Sequence, residues 1–315
     1  MSDSRVASQR PAIFYTVLAV LAGALPVIGW LGGSFWFFDL FNHFQLQYAV
    51  FIAAMVLLLL CRKAWRLAAL ASLFLMVVLI RIVPLLLPSG GEAAGNPLRL
   101  ATFNVLTSNQ SYKDVLDWVR TTDPDLIFFP EADERWAKEL SPLLASHPYK
   151  LEHFEGGNFG SVFHSKLPIL DREIIPCGSS GLPYLKVKLQ RGESSFTFYG
   201  AHPIPPVGEV NSKDRNDYLK AMAGDVAGED GVVIVAGDLN ATPWSHSMKP
   251  LLATGLQGSS LSPTWRRGNP LLAIPIDWLL YRGPSSKPDG IRCSKRWVGP
   301  DLGSDHRPVV ADLVW

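Results

Sequence analysis

Asp238 and Asn240 stand two residues apart in Gly237-Asp238-Leu239-Asn240, directly after the apolar, β-branched run Val232-Val233-Ile234-Val235-Ala236. That run predicts a strand covered on both faces. Side chains alternate along a strand, so the carboxylate and the amide project to one side. A carboxylate oxygen beside an amide that both donates and accepts suits a hydrated divalent cation together with a phosphate oxygen. Asp and Asn are also favoured turn residues, so this tetrapeptide carries no chemistry by itself.

Three more strand-like runs end in one polar residue. Leu98-Arg99-Leu100-Ala101-Thr102-Phe103 delivers Asn104, Leu126-Ile127-Phe128-Phe129-Pro130 delivers Glu131, and Phe196-Thr197-Phe198-Tyr199-Gly200-Ala201 delivers His202. Ligand sites of layered α/β folds form at the carboxyl ends of strands, and four such endings argue for one convergent site. Asp277 lies within the apolar Ile274-Pro275-Ile276-Asp277-Trp278-Leu279-Leu280, where an unpaired charge is costly to bury. Ser304-Asp305-His306-Arg307-Pro308 supplies its partner, because an Asp–His pair fixes the imidazole tautomer and raises its basicity.

The elements that must hold these residues alternate strand with helix. Amphipathic stretches Tyr112–Arg120 and Lys213–Val226 predict helices that cover the sheets, and Val309-Val310 begins a closing strand. Arg215, on the second of these helices, either points back at a substrate or is an exposed helix charge. From Pro97 to Trp315 the chain is long enough for one sizeable core.

The ordered set Thr102-Phe103-Asn104, Pro130-Glu131, Gly200-Ala201-His202, Gly237-Asp238-Leu239-Asn240, Ile276-Asp277 and Ser304-Asp305-His306-Arg307-Pro308 resembles the endonuclease/exonuclease/phosphatase superfamily, the DNase I-like fold. The resemblance covers essentially all of 97–315. It implies an α/β (α+β) fold, a four-layer sandwich of two mixed sheets flanked by helices. It also implies a Mg²⁺- or Mn²⁺-dependent hydrolase of phosphate mono- or diesters that uses metal-assisted attack of water. Carried over residue by residue, Glu131 is the principal metal ligand, with Asn104 assisting and Asp305 near the metal. Asp238 orients or deprotonates the attacking water, and Asn240 holds a phosphate oxygen. His306, oriented by Asp277, stabilises the phosphate, and His202 contacts the phosphate or protonates the leaving oxygen. In the nuclease branch that histidine has a carboxylate partner, whereas the corresponding stretch here, Glu155 to Val162, shows Asn158 and no obvious equivalent acid.

The first 96 residues differ in kind. Apolar segments at 11–30, 46–61 and 67–87 predict three transmembrane helices in a membrane region 1–87, followed by a flexible tether at 88–96 containing Gly90, Gly91 and Gly95. Arg62, Lys63 and Arg66 crowd the loop after the second segment, while Gly32 to Phe44 has no Lys or Arg. The positive-inside rule then places the catalytic domain on the outer side, and Trp30, Trp36, Phe37 and Phe38 in an aromatic belt. Arg81, inside the third segment, reads as a snorkelling side chain. This architecture resembles a bacterial subgroup of the superfamily, a multi-pass protein of the inner (plasma) membrane with its catalytic domain periplasmic. An oxidising compartment permits a disulfide between Cys177 and Cys293.

Residues 97–315 hold 23 Lys/Arg against 25 Asp/Glu, a net charge of −2. Non-specific nucleic-acid binding rests on many Lys/Arg–phosphate contacts, so a phospholipid or other envelope phosphodiester is the favoured substrate over DNA. The basic group Arg292, Lys295 and Arg296 reads as a solvated loop. An endo- or exonuclease, and an inactive binding module that keeps the fold, remain as alternatives; a transporter is disfavoured because the apolar segments hold almost no ionisable residue. No obligate protein partner is evident.

Overall fold

The computed structural model of the chain describes residues 17, 20, 23–85, 96–258, 262–287 and 290–315. They divide into two compact units: the helices before residue 87 together with Trp244–His246, and the remainder. Half of the expected first apolar segment, 11–30, lies outside the described residues, as does the expected tether apart from Asn96.

In the first unit, α1 (Gln45–Cys61) and α2 (Trp65–Ile82) are nearly continuous apolar sequence. With their flanking turns they form helical stretches Trp36–Cys61 and Trp65–Leu85, of 26 and 21 residues, long and apolar enough to cross a membrane. A shorter apolar helix spans Gly23–Gly33, so the described residues hold two membrane-length helices where three were expected. Arg81 does more than snorkel. Its guanidinium donates to Asn42 Oδ1 at 2.9 Å and to the Trp244 carbonyl at 3.1 Å. Asn42 donates in turn to Asp39 Oδ1 at 3.0 Å, and Asp39 Oδ2 accepts from the Ser245 hydroxyl at 2.6 Å. Satisfying one another in this way is what makes buried polar groups tolerable among apolar helices.

The second unit is built from two mixed sheets. The first runs in the order β10 (Arg292–Val298), β11 (Val309–Val314), β1 (Leu98–Thr102), β2 (Leu126–Pro130), β4 (Ser161–Ser165), β3 (Tyr149–His153). The second runs β5 (Ile169–Pro176), β6 (Pro183–Arg191), β7 (Ser194–Gly200), β8 (Val232–Asp238), β9 (Asp277–Arg282). Only β1 with β2 and β7 with β8 pair in parallel; every other pairing is antiparallel. A parallel pair needs a crossover, and the two amphipathic stretches provide them as α3 (Tyr112–Thr122) and α5 (Glu209–Ala227). In α3 the buried Val115, Trp118 and Val119 follow helical spacing, and the helix stops at Asp123, left-handed at φ 49° and followed by Pro124.

Three apolar layers result. Leu100, Phe128, Phe163, Phe198, Ile234 and Tyr281 fill the space between the sheets, where Phe163 and Phe198 stack with ring centroids 4.6 Å apart. Outside the first sheet, α3 and α4 (Glu134–Leu140) bury Phe103, Trp118 and Trp136. Outside the second, α5 buries Tyr218, Leu219 and Met222 against Tyr199 and Val235. The two mixed sheets flanked by helices form a DNase I-like sandwich.

Two expectations fail here. Cys177 and Cys293 are free thiols: Cys177 is buried beside α5, its Sγ 3.7 Å from the Tyr218 carbonyl, whereas Cys293 lies on β10 in the other sheet. Nor is Arg296 in a solvated loop. It sits on β10 and donates to the carbonyls of Gly258, Leu279 and Asp277 at 2.9, 3.2 and 3.3 Å.

His164 gives the sandwich a pH dependence of its own. On β4 Phe163 faces the other sheet, and the neighbouring His164 is buried with both ring nitrogens unpartnered. Burial, with the nearby His147, pushes its pKa down to about 4. The unfolded chain binds a proton there near pH 6.5, so the neutral ring's contribution is complete above that pH and is lost as pH falls towards 4. A shift of that size corresponds to about 3 kcal/mol. Melting temperature followed from pH 7 to 4 should therefore fall less steeply in His164→Leu than in the parent; parallel curves would refute the assignment.

Candidate active site

β8 runs alongside β7 and opposite β9, which sets Asp238 directly across from Asp277 at one end of the second sheet. Asn104 and Glu131 follow β1 and β2 at the matching end of the first. Asn104, fully buried, ties the two together: its Nδ2 donates to Glu131 Oε1 at 2.8 Å and to Asp238 Oδ2 at 3.2 Å. The same nitrogen lies 3.4 Å from His306 Nε2. His306 Nδ1 donates to Asp277 Oδ2 at 2.9 Å, and its Nε2 faces Asp238 Oδ2 at 3.6 Å. His202 Nε2 lies 3.8 Å from both Glu131 Oε1 and Asp238 Oδ2. Thus Asn104, Glu131, His202, Asp238, Asp277 and His306, spread over 200 residues of sequence, meet in one cluster.

The backbone is bent to put them there. Glu131 and Asn240 take left-handed φ values of 60° and 48°, which cost a non-glycine residue roughly 1–3 kcal/mol. Gly237, at φ 138°, could not be another residue, because a Cβ would lie 1.9 Å from the Ala201 carbonyl oxygen. Small polar side chains hold the turns. The Thr107 hydroxyl donates to the Glu131 carbonyl at 2.8 Å, and the Asn240 N–H donates to Asp238 Oδ1 at 2.9 Å. Ser304 donates to the Asn104 carbonyl at 2.8 Å while accepting from the His306 N–H at 3.0 Å, which pins the histidine to the end of β1. Thr264 accepts from the N–H groups of Ile276 and Asp277 at 3.3 and 3.2 Å.

Burial sets the electrostatics. Removal from water pushes Asp238 up to about 7; repulsion from Asp277 and Glu131 adds to this, and His306 opposes it. Glu131 is raised by the same desolvation, against the Asn104 hydrogen bond. For His306 burial favours the neutral ring, but the carboxylates of Asp277 and Asp238 outweigh it and raise the imidazole to about 10. His202 goes the other way, to about 3, through burial and the positive charge of His306. The environment therefore favours the imidazolium at His306 and the neutral imidazole at His202.

The remaining expected residues lie around this centre. Asp305 Oδ2 accepts from the Trp265 indole N–H at 2.9 Å, and its charge acts on Glu131 and His306. The Asn240 amide donates to the Pro203 carbonyl at 2.9 Å. Arg215 is not an exposed helix charge: it is buried, and its guanidinium donates to the Asn240 carbonyl at 2.6 Å. His202 has no carboxylate on Nδ1, which lacks a partner. Phe159 packs against the ring instead, at 5.6 Å between centroids, and the His202 N–H donates to the Tyr218 hydroxyl at 3.3 Å. Thr107, Thr264, Trp265 and Tyr218 carried no signal in sequence, since each acts on a residue distant along the chain.

The cluster suits a hard divalent cation. Glu131 Oε2 is buried without a hydrogen-bond partner, and the groups around Glu131 are the Asn104 amide, the Asp238 carboxylate and the His202 imidazole, with no thiolate. Asp238, Asp277 and His306 also present ligand atoms within 4.8 Å of one another. Asp277 Oδ2 is already bonded to His306, and the buried carboxylate oxygens left without a hydrogen-bond partner are Glu131 Oε2 and Asp277 Oδ1.

The model of the endonuclease/exonuclease/phosphatase family matches residues 101–306, a span that begins within β1 and ends on His306. Among solved structures, humanized D. rerio TDP2 aligns with a TM-score of 0.60 at 18% identity, over 70% of this chain and 100% of that one. Sphingomyelinase C from Streptomyces griseocarneus aligns with a TM-score of 0.53 at 18% identity, over 69% and 99%. An endonuclease/exonuclease/phosphatase from Beutenbergia cavernae aligns with a TM-score of 0.56 at 19% identity, over 70% and 72%. No curated protein matches the chain in sequence. With Asn104, Glu131, His202, Asp238 and His306 gathered at one end of this sandwich and the family's model running through all of them, the chain belongs to the endonuclease/exonuclease/phosphatase family.

Proposed function

We propose that this protein is a Mg²⁺- or Mn²⁺-dependent phosphoesterase whose substrate is a phospholipid or another envelope phosphodiester. One observation carries the hydrolase reading: the buried cluster brings the unsatisfied Glu131 carboxylate, the Asp238 carboxylate, His202 3.8 Å from both, and the Asp277–His306 pair together at one end of the sandwich. Glu131 and Asn104 would hold the cation, with Asp305 near it. When bound, the cation supplies charge neutralisation to the phosphoryl group. Asp238 orients the attacking water and takes its proton. Asn240 holds a phosphate oxygen, and the His306 imidazolium, fixed by Asp277, faces the charge that develops on the phosphoryl oxygens. His202, neutral, offers its N–H to the phosphate or to the leaving oxygen. A binding module that merely kept the fold would have no use for this complete set.

Lipid is favoured over nucleic acid for two reasons. The chain carries two helices of membrane length, and residues 97–315 bear a net charge of −2. In addition, exposed apolar side chains lie at the site end: Phe154 before β4, Val207 after His202, Val210 in the first turn of α5, and Leu271 before Asp277. Orientation of the catalytic domain on the periplasmic side of an inner membrane is what the Lys/Arg asymmetry of the loops supports, and protease digestion of intact spheroplasts checks it: protection of 97–315 would refute it.

The test uses the full chain in mixed micelles with bis(p-nitrophenyl) phosphate, a phosphodiester-lipid panel and supercoiled DNA, each with Mg²⁺, Mn²⁺ or EDTA. Lipid turnover that requires the metal and falls at least about 10³-fold in Glu131→Ala is expected. Metal-dependent cleavage of DNA alone would replace lipid by nucleic acid, and turnover insensitive to EDTA would overturn the metal assignment.

A further inference from the structure

Arg215 places a cation inside the fold, where its charge must be matched by the groups around it. The side chain sits on α5, is 1% exposed, and is one of the largest fully buried groups in the protein. Among its neighbours on the buried face, Leu219 and Met222 are packing residues and Tyr218 places its hydroxyl against the His202 N–H. A guanidinium taken out of water is expensive, and an apolar side chain of similar volume generally serves stability as well or better. Two of its hydrogen bonds bear on the site. NH1 donates to the Asn240 carbonyl at 2.6 Å, while Nε donates to Asn216 Oδ1 at 2.9 Å and so fixes the plane of the group.

The recipient is the most constrained turn of the site. Asn240 holds a left-handed φ of 48°, its N–H reaches back to Asp238 Oδ1 at 2.9 Å, and its amide reaches the Pro203 carbonyl at 2.9 Å. Three contacts therefore fix this residue: Asp238 on its N–H, Pro203 on its side chain, and Arg215 on its carbonyl. Releasing the carbonyl frees the peptide plane after Asn240 to rotate out of a conformation that is unfavourable on its own. Because the Asn240 N–H is a bond to the catalytic carboxylate, the rotation also loosens Asp238. Hydrogen bonds from a charged donor are the stronger kind, which suits a turn that must be held against its own preference.

We propose that Arg215 is a positioning residue, a buried clamp on the Asn240 carbonyl that holds the Asp238–Asn240 turn in its working geometry. This rests on the phosphoesterase reading for its effect on turnover, but the placement itself is measurable without any reaction.

The experiment compares Arg215→Met, which keeps the volume, and Arg215→Ala with the parent full chain. Hydrogen exchange in the absence of metal reads the turn directly. Amides in 238–242 should exchange at least ten-fold faster in both variants, with strands β1 and β2 unchanged. With bis(p-nitrophenyl) phosphate and Mg²⁺, kcat should fall between ten- and a hundred-fold while KM stays within two-fold, the scale expected for misplacing a reacting group by about 1 Å. Added guanidinium should restore part of the kcat of Arg215→Ala, where it can occupy the vacated space, and little of that of Arg215→Met. Unchanged exchange at 238–242, or acceleration spread equally over the whole domain, would overturn the clamp and leave Arg215 as a packing residue. If the parent turns over no phosphate ester, the phosphoesterase reading fails while the exchange result still decides the placement.

Discussion

Replacing Asp238 by Asn is expected to lower kcat on bis(p-nitrophenyl) phosphate by about 10³-fold, within the 10² to 10⁴ that a positioned proton acceptor contributes. The substitution preserves shape. An amide oxygen in place of Oδ1 still accepts from the Asn240 N–H, so the turn survives, and what is lost is the group able to take a proton together with the Oδ2 acceptor of the Asn104 amide. The same substitution should raise the melting temperature. Asp238 is buried beside Asp277 and Glu131, and burial with their repulsion is what drives its pKa up to about 7; a neutral amide removes that cost. Loss of activity with gain of stability separates a catalytic carboxylate from a structural one. A variant that keeps kcat within ten-fold of the parent, or that melts several degrees lower, would sink the assignment.

The second large effect concerns the pair Asp277 and His306. Deleting the Asp277 carboxylate as Ala leaves the buried imidazolium without its partner at 2.9 Å, and breaking a buried charged pair from one side costs about 3–5 kcal/mol. Asp277→Asn is the more informative change, since it keeps the volume but presents either a donor or an uncharged acceptor to Nδ1. It should lower the His306 pKa from about 10 towards the ordinary histidine range, and it should abolish most turnover through loss of the imidazolium. His306→Gln should do the same. Made together, the two substitutions should cost little more than either alone, because the residues act as one unit. Fully additive losses in kcat, measured as a double-mutant cycle, would mean that Asp277 acts on something other than His306.

What could be read from the chain, and what could not, divides along a physical line. Strand ends were legible because each is local: a run such as Leu126–Phe129 is buried on both faces, and the polar residue that follows it stands out by contrast. Asp277 and His306 were legible as partners because a charge within an apolar strand requires one. β5, with an exposed run Leu170-Asp171-Arg172-Glu173-Ile174, carried no such contrast and was not read as a strand. Arg296 was misread as solvated, and Arg215 was left open between a substrate contact and an exposed charge, for a related reason. Each reaches backbone carbonyls of a different strand or turn, and such contacts depend on register between elements, which composition does not encode. Ser304, Thr264 and Tyr218 are invisible for the same cause: a hydroxyl that fixes a turn looks like any other hydroxyl until the turn is folded. Arg81 likewise acquires its partners only when Asn42 and Trp244 are brought to it.

One property of the cluster reaches beyond catalysis. Glu131 and Asn104 are carried by one sheet and His202, Asp238 and Asp277 by the other, and the bonds between them, such as Asn104 to Asp238 at 3.2 Å, span the seam of the sandwich. The site is therefore a gauge of the spacing that Phe128, Phe163 and Phe198 maintain between the sheets. Widening of a few tenths of an ångström, too small to expose the aromatic layer, already lengthens every bond across the seam. Turnover should accordingly fade at denaturant concentrations where the fluorescence and the helices are still native, so the enzyme switches itself off before it comes apart.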